Sequence, residues 1–286
     1  MADLLDELAE KARKLSNSWA SYSVMGSFVL YLCGYLALRF HLTMVGVATD
    51  LAVVDERYLF TGARFLVYLT ASVPSVLIVV LPLFAIGWGA TRLLSPAVRV
   101  RASEWITQPS RLAIFSIVFS VLIIQLVMRQ CFLLSNLLLA RELPRDPAWL
   151  IALLRDDELM PLYFSGLVAS CLLTLGILMV LRSARVPAFG LGITAFLAGV
   201  QILLLPVNYG VLIVDQTLAR VSAIGDEPLA NGQTAWLVWE GKDHVTFLLR
   251  DATQDRRTLL TVEGSEVKRM EVVGFDRIVP ALFAAQ

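Results

Sequence analysis

Five apolar stretches fill residues 20 to about 214. Each reaches, or comes within a residue or two of, the ~20 residues a helix needs to cross a hydrocarbon core. Inside lipid every backbone N–H and C=O must be satisfied by the protein itself, and spans of this length achieve that as helices. The chain therefore reads as a mainly α membrane protein, a bundle of about five transmembrane helices. At Asp215 the pattern changes, and short alternating segments separated by turn residues run on to Gln286. That change predicts a small C-terminal all-β domain over 215–286, barrel- or meander-like.

Composition supports the same reading. Of 286 residues, 57% are hydrophobic and 17% charged, against ~25% charged in a typical soluble domain. Formal net charge is zero, which argues against nucleic acid as a partner and leaves the bilayer and other protein subunits. The first residues, MADLLDELAEKARKL, are too charged for the apolar core of a signal peptide. Over 1–18, Leu4, Leu5, Leu8, Ala12 and Leu15 share one helical face, with acids early and bases late. This predicts an amphipathic N-terminal helix on the membrane surface, anchored where Trp19 and Tyr22 enter an aromatic belt.

The bundle is expected over 19–214, with spans at about 20–38, 65–90, 112–131, 161–181 and 188–214. Arg39 and His41 end the first span, and Pro74 and Pro82 kink the second. Basic residues near the span ends divide as follows. Lys11, Arg13, Lys14, Arg92, Arg99, Arg101, Arg111, Arg182 and Arg185 fall on the amino-terminal side. Arg39, Arg57, Arg64, Arg129, Arg141, Arg145 and Arg155 fall on the other. The excess favours a cytoplasmic amino terminus, in a bacterial plasma (inner) membrane, with the β domain on the opposite face after five crossings.

Chemistry inside a membrane concentrates at polar residues, because burying them in lipid is costly. Gln125 and Arg129 lie in the third span. Arg129 sits at the boundary if the span is 112–131 and near the midplane if it is 118–138. In the last span Gly190, Gly192, Ala195, Ala198 and Gly199 permit close helix approach. Gln201 follows, and Pro206 with Asn208 predicts a break in the helix. These residues are candidates for a pore or a subunit interface. The order of small-residue helix, break and aqueous β domain resembles the general plan of mechanosensitive channels of small conductance, although no run of residues matches that family's pore helix. Arg39, His41, Asp55, Glu56 and Arg57 form a second candidate, an interfacial polar cluster.

Cys33, Cys131 and Cys171 each fall in an apolar stretch without metal-site or disulfide spacing. His41 and His244 are the two histidines, and neither has a neighbour at metal-ligand spacing. No catalytic motif occurs in a supporting context, so neither cofactor nor metal is expected. Three readings follow, in order of preference. The first is a non-enzymatic component of a membrane complex that oligomerises or docks partners through its last span and β domain. The second is a homo-oligomeric ion channel lined by 188–214. The third is a membrane enzyme acting on a lipidic substrate.

Overall fold

In the computed structural model the described residues are 2–47, 56–93, 95, 108–140, 159–184, 187–212, 217–224, 227–230, 232–251, 256–267 and 270–277, with side chains excluded for 2–18, 20 and parts of 79–91. Among the described residues six α-helices precede a sheet. They are α1 (Ala2–Val45), α2 (Glu56–Ala71), α3 (Val73–Leu93), α4 (Pro109–Leu133), α5 (Leu159–Ser183) and α6 (Ala188–Leu212). Five helical segments are long and apolar enough to cross a membrane: Ser21–Val45, Glu56–Pro82, Pro109–Leu133, Leu159–Ser183 and Ala188–Leu212. Their outward side chains, among them Phe28, Ile78, Leu122, Met179 and Phe196, are large, apolar and exposed, as lipid-facing positions require.

The boundaries differ from expectation in three places. The amphipathic segment and the first span form one unbroken helix, α1, about 66 Å long at 1.5 Å per residue. Arg39 and His41 do not end it. It continues to Val45 because its last turns pack against protein, and Gly46 closes it with φ +78°. The second span starts at Glu56, nine residues earlier than expected, and the helix is interrupted at Ser72, two residues before Pro74. The third difference is in α6, which runs through Pro206 to Leu212 without the expected break.

The strands are β1 (Thr217–Ile224), β2 (Glu227–Pro228), β3 (Gln233–Glu240), β4 (His244–Asp251), β5 (Arg256–Glu263) and β6 (Met270–Arg277). β1, β3, β4 and β5 lie side by side in an antiparallel order, β2 is a two-residue extension beside β1, and β6 returns to pair with β1. β5 and β6 do not pair with each other among the described residues. The sheet is thus an open meander and not a barrel. Closure would need β6 to pair with β5, but it takes the free edge of β1 instead. Trp236 Nε1 donates to Asp276 Oδ2 at 2.9 Å, and Arg220 approaches the same carboxylate at 3.6 Å, which ties β6 across β1 to β3.

Alternation along the strands gives the sheet two apolar faces. One carries Val221, Ala235, Val245 and Phe247, which pack among themselves. The other carries Leu218, Trp236, Val238 and Leu248, which share one cluster with Leu42, Val45, Tyr58, Leu138, Met160 and Leu212. The late ends of α1, α4 and α6 and the early ends of α2 and α5 therefore converge on the sheet, which caps one end of the bundle.

Candidate functional site

Helix α6 sorts its residues by face. Thr194, Ala198, Gln201, Leu205 and Asn208, spaced three or four apart, are buried against the bundle. Gly192 and Ala195 are exposed and Gly199 is half-buried. A Cβ added at Gly192 or Gly199 would meet nothing within 4 Å among the described residues. The residues singled out in this helix thus occupy two opposite faces. Gly192, Ala195 and Gly199 point away from the chain's own bundle and Gln201 and Asn208 into it. Pro206, seven residues after Gly199 and so on the same stripe, is buried because the helix is enclosed on every side from Leu205 to Leu212.

The inward face meets a polar seam. Ser116 and Ser120 on α4, Thr174 on α5, and Thr194 and Asn208 on α6 are fully buried. Several are satisfied by their own helices: Thr174 Oγ1 donates to Ser170 O and Thr194 Oγ1 to Gly190 O, both at 3.0 Å, as does Asn208 Nδ2 to Leu204 O. Gln201 is not. It sits at the middle of a 25-residue helix, and neither its Oε1 nor its Nε2 has a hydrogen-bond partner among the described residues. Asn208 Oδ1 is also unpartnered. Both side chains, with Ser170 and Val127, line a cavity of about 10 Å³ between α4, α5 and α6. That is the lower limit for a single water. An orphaned buried amide costs about 1–3 kcal/mol. Gln201→Leu, similar in size and apolar, is accordingly expected to raise the melting temperature of the detergent-solubilised protein. A fall would mean that a bound water supplies the missing bonds.

Toward the sheet, Tyr163 donates a hydrogen bond to Gln130 Oε1, joining α5 to α4. Gln125 and Arg129 are exposed on α4. Arg129 is one turn from the helix's sheet-side end at Leu133.

The described members of the polar cluster expected at the end of the first span lie on two helices and on different faces. Asp55 lies outside the described residues, and Glu56 is exposed at the start of α2. Arg39 is exposed, whereas His41, two residues on and so turned to another face, is 2% exposed inside the core. Arg57 leaves the cluster for the sheet. Its guanidinium donates to the Glu240 carbonyl and lies 5.3 Å from the Trp239 ring centroid, a cation–π arrangement. Arg257 makes the matching bond from β5, donating to Ala140 O at 2.7 Å.

The residues that sequence reasoning missed are three other glycines. At Gly34 an added Cβ would collide with the Tyr58 backbone, at Gly62 with Leu30, and at Gly210 with Ala37. Gly34 and Gly62 let α1 and α2 touch backbone to backbone, and Gly210 does the same for α1 and α6. Each is a lone glycine in an apolar run, without the small-residue spacing that marks α6. Tyr31 and Tyr35, edge-on to Tyr58 at 5.2 and 5.5 Å, close around that contact.

Fold and site together define an integral membrane helical bundle capped at one end by an open antiparallel sheet that shares its core. No family model, curated protein or solved structure matches the chain.

Proposed function

We propose that the protein is a non-enzymatic subunit of a membrane complex that self-associates through the outward face of α6, the sheet acting as a rigid cap on each subunit. The observation that supports this reading is the open surface over Gly192, Ala195 and Gly199. In lipid, helices associate through van der Waals contact and close backbone approach, and small residues permit both. Elsewhere in this bundle Gly34, Gly62 and Gly210 are spent on contacts within the chain. Gly192 and Gly199 have no such use among the described residues, and glycine inside a helix costs about 1 kcal/mol relative to alanine. Phe189 and Phe196, both strongly exposed, flank this surface.

The test is the mass of the particle in nanodiscs. Wild-type protein is expected to form an oligomer, and the double variant Gly192→Leu/Gly199→Leu to shift to monomers while melting no lower than wild type. A monomeric wild type would end this reading. A pore lined jointly by Gly192, Gly199, Gln201 and Asn208 is less favoured, because those residues do not share a face. Ion flux through proteoliposomes that is abolished by Gly199→Leu would move the balance to a channel with only the outward face at its axis.

A further inference from the structure

We infer that the protein holds an anionic glycerophospholipid in a groove between α2 and the sheet, with its phosphate at Arg64 and an acyl chain along α2. Two open grooves meet at Phe60 and Arg64. The first, about 500 Å³, lies at the bundle–sheet junction, with Arg57, Thr61 and Arg64 on one wall and Trp239, Glu240 and Phe275 on the other. The second, about 580 Å³, continues along α2 past Ala63, Val67 and Ala71 to Tyr68 and Tyr209. The first sets two arginines and one glutamate among apolar side chains such as Phe60, Trp239 and Phe275, and so carries a net positive charge. The second is nearly all apolar and runs toward the middle of the bundle.

Arg64 joins them. It lies eight residues into α2, about 12 Å along the helix from Glu56. It is exposed, and it has no hydrogen bond or ion pair among the described residues. Arg57, by contrast, is already committed to Glu240 O and Trp239. A guanidinium at that depth is costly unless it reaches a polar group, and its long stem lets it rise toward the headgroup layer. A phosphate is the matching acceptor, since guanidinium binds it in a forked, charge-assisted geometry. Free phosphate would satisfy Arg64 but leave the apolar half of the groove unfilled. A lipid whose phosphate and chain are joined fills both.

The test uses the full-length chain in a neutral detergent, reading the melting temperature as phosphatidylglycerol, phosphatidylcholine or inorganic phosphate is added. Phosphatidylglycerol is expected to raise it and to co-purify in native mass spectra, with phosphatidylcholine and inorganic phosphate much weaker. Arg64→Gln should raise the phosphatidylglycerol concentration needed for half the shift about tenfold, the loss of a charge-assisted bond. Arg64→Lys should restore part of the response. Val67→Trp, which fills the apolar groove, should weaken phosphatidylglycerol while leaving the unliganded melting temperature near wild type. Equal responses to phosphatidylglycerol and phosphatidylcholine, or an unchanged response in Arg64→Gln, would overturn the site. An equal response to inorganic phosphate would overturn the lipid. If Arg64→Gln changes the oligomeric state and not the lipid response, a second copy of the chain occupies the groove and the proposal fails.

Discussion

Gly62→Ala is expected to be among the most damaging single-methyl substitutions in this protein. The added Cβ would sit inside the Leu30 carbonyl, an atom of helix backbone that a rotamer change does not move. Helices α1 and α2 would have to separate along their whole contact. That would disturb the edge-on packing of Tyr58 against Tyr31 and Tyr35 and loosen Phe65, which is 2% exposed in the inner core. Overpacking of this kind costs about 3 kcal/mol, or roughly 6–12 °C in melting temperature on the scale of larger domains. Gly34→Ala and Gly210→Ala should behave alike. Gly199→Ala is the internal control: its Cβ meets nothing within 4 Å, and alanine is the better helix former. Thermal melts followed by size-exclusion chromatography in one detergent would separate the two groups. Equal melting temperatures for Gly62→Ala and Gly199→Ala would show that the α1–α2 contact is looser than described.

Removing the sheet should have an even larger effect. Truncation after Leu212 would expose one side of the cluster containing Leu42, Tyr58, Leu138 and Met160, all nearly inaccessible in the intact chain. The remaining bundle is expected to aggregate or to be degraded on expression. Finer probes are Leu138→Ala on the bundle side and Leu248→Ala on the sheet side, both 0% exposed. Each should cost about 2–5 kcal/mol. Because they share one cluster, the double variant should lose less than the sum. A truncated bundle that stays monodisperse with an unchanged melting temperature would refute the shared core.

How much of this was legible before the fold was known depends on the range of the interaction involved. Hydropathy over ~20 residues is local, so all five spans were readable, and 188–212 began at the expected residue. Turn chemistry is local too. Gly241-Lys242-Asp243 reads as a turn in the sequence. There the Gly241 N–H donates to His244 O at 2.8 Å between β3 and β4, while the Gly264 N–H donates to Asp243 O at 2.7 Å across the neighbouring hairpins. Alternation alone places the last strand at about 266–273, four residues too early. It runs over Met270–Arg277 because its position is set by pairing with β1, some fifty residues away, and not by its own alternation.

Span ends failed for a related reason. Arg39 and His41 look like the edge of the membrane when charge is the only guide. The helix continues because protein, and not water, surrounds its last turns: His41 is buried, and Leu42 and Val45 share one cluster with the sheet. The small-residue signature in α6 was likewise visible, but its meaning was not. Periodicity says that Gly192 and Gly199 share a face and that Gln201 does not. Only the packing of α1, α4 and α5 decides which face stays open.

By itself the sequence determined the membrane class, the five helices among the described residues that are long and apolar enough to cross, and roughly where helices give way to strands. Each is written in short windows of hydropathy and turn residues, which act over one or two turns of chain. The tertiary structure alone decided that the sheet stays open and that it shares a core with the bundle. It also decided that Gly34, Gly62 and Gly210 clamp the helices, and that Arg64 has no partner among the described residues at the mouth of an apolar groove. These facts rest on contacts between residues far apart in the chain, and such contacts exist only once helices and strands have packed.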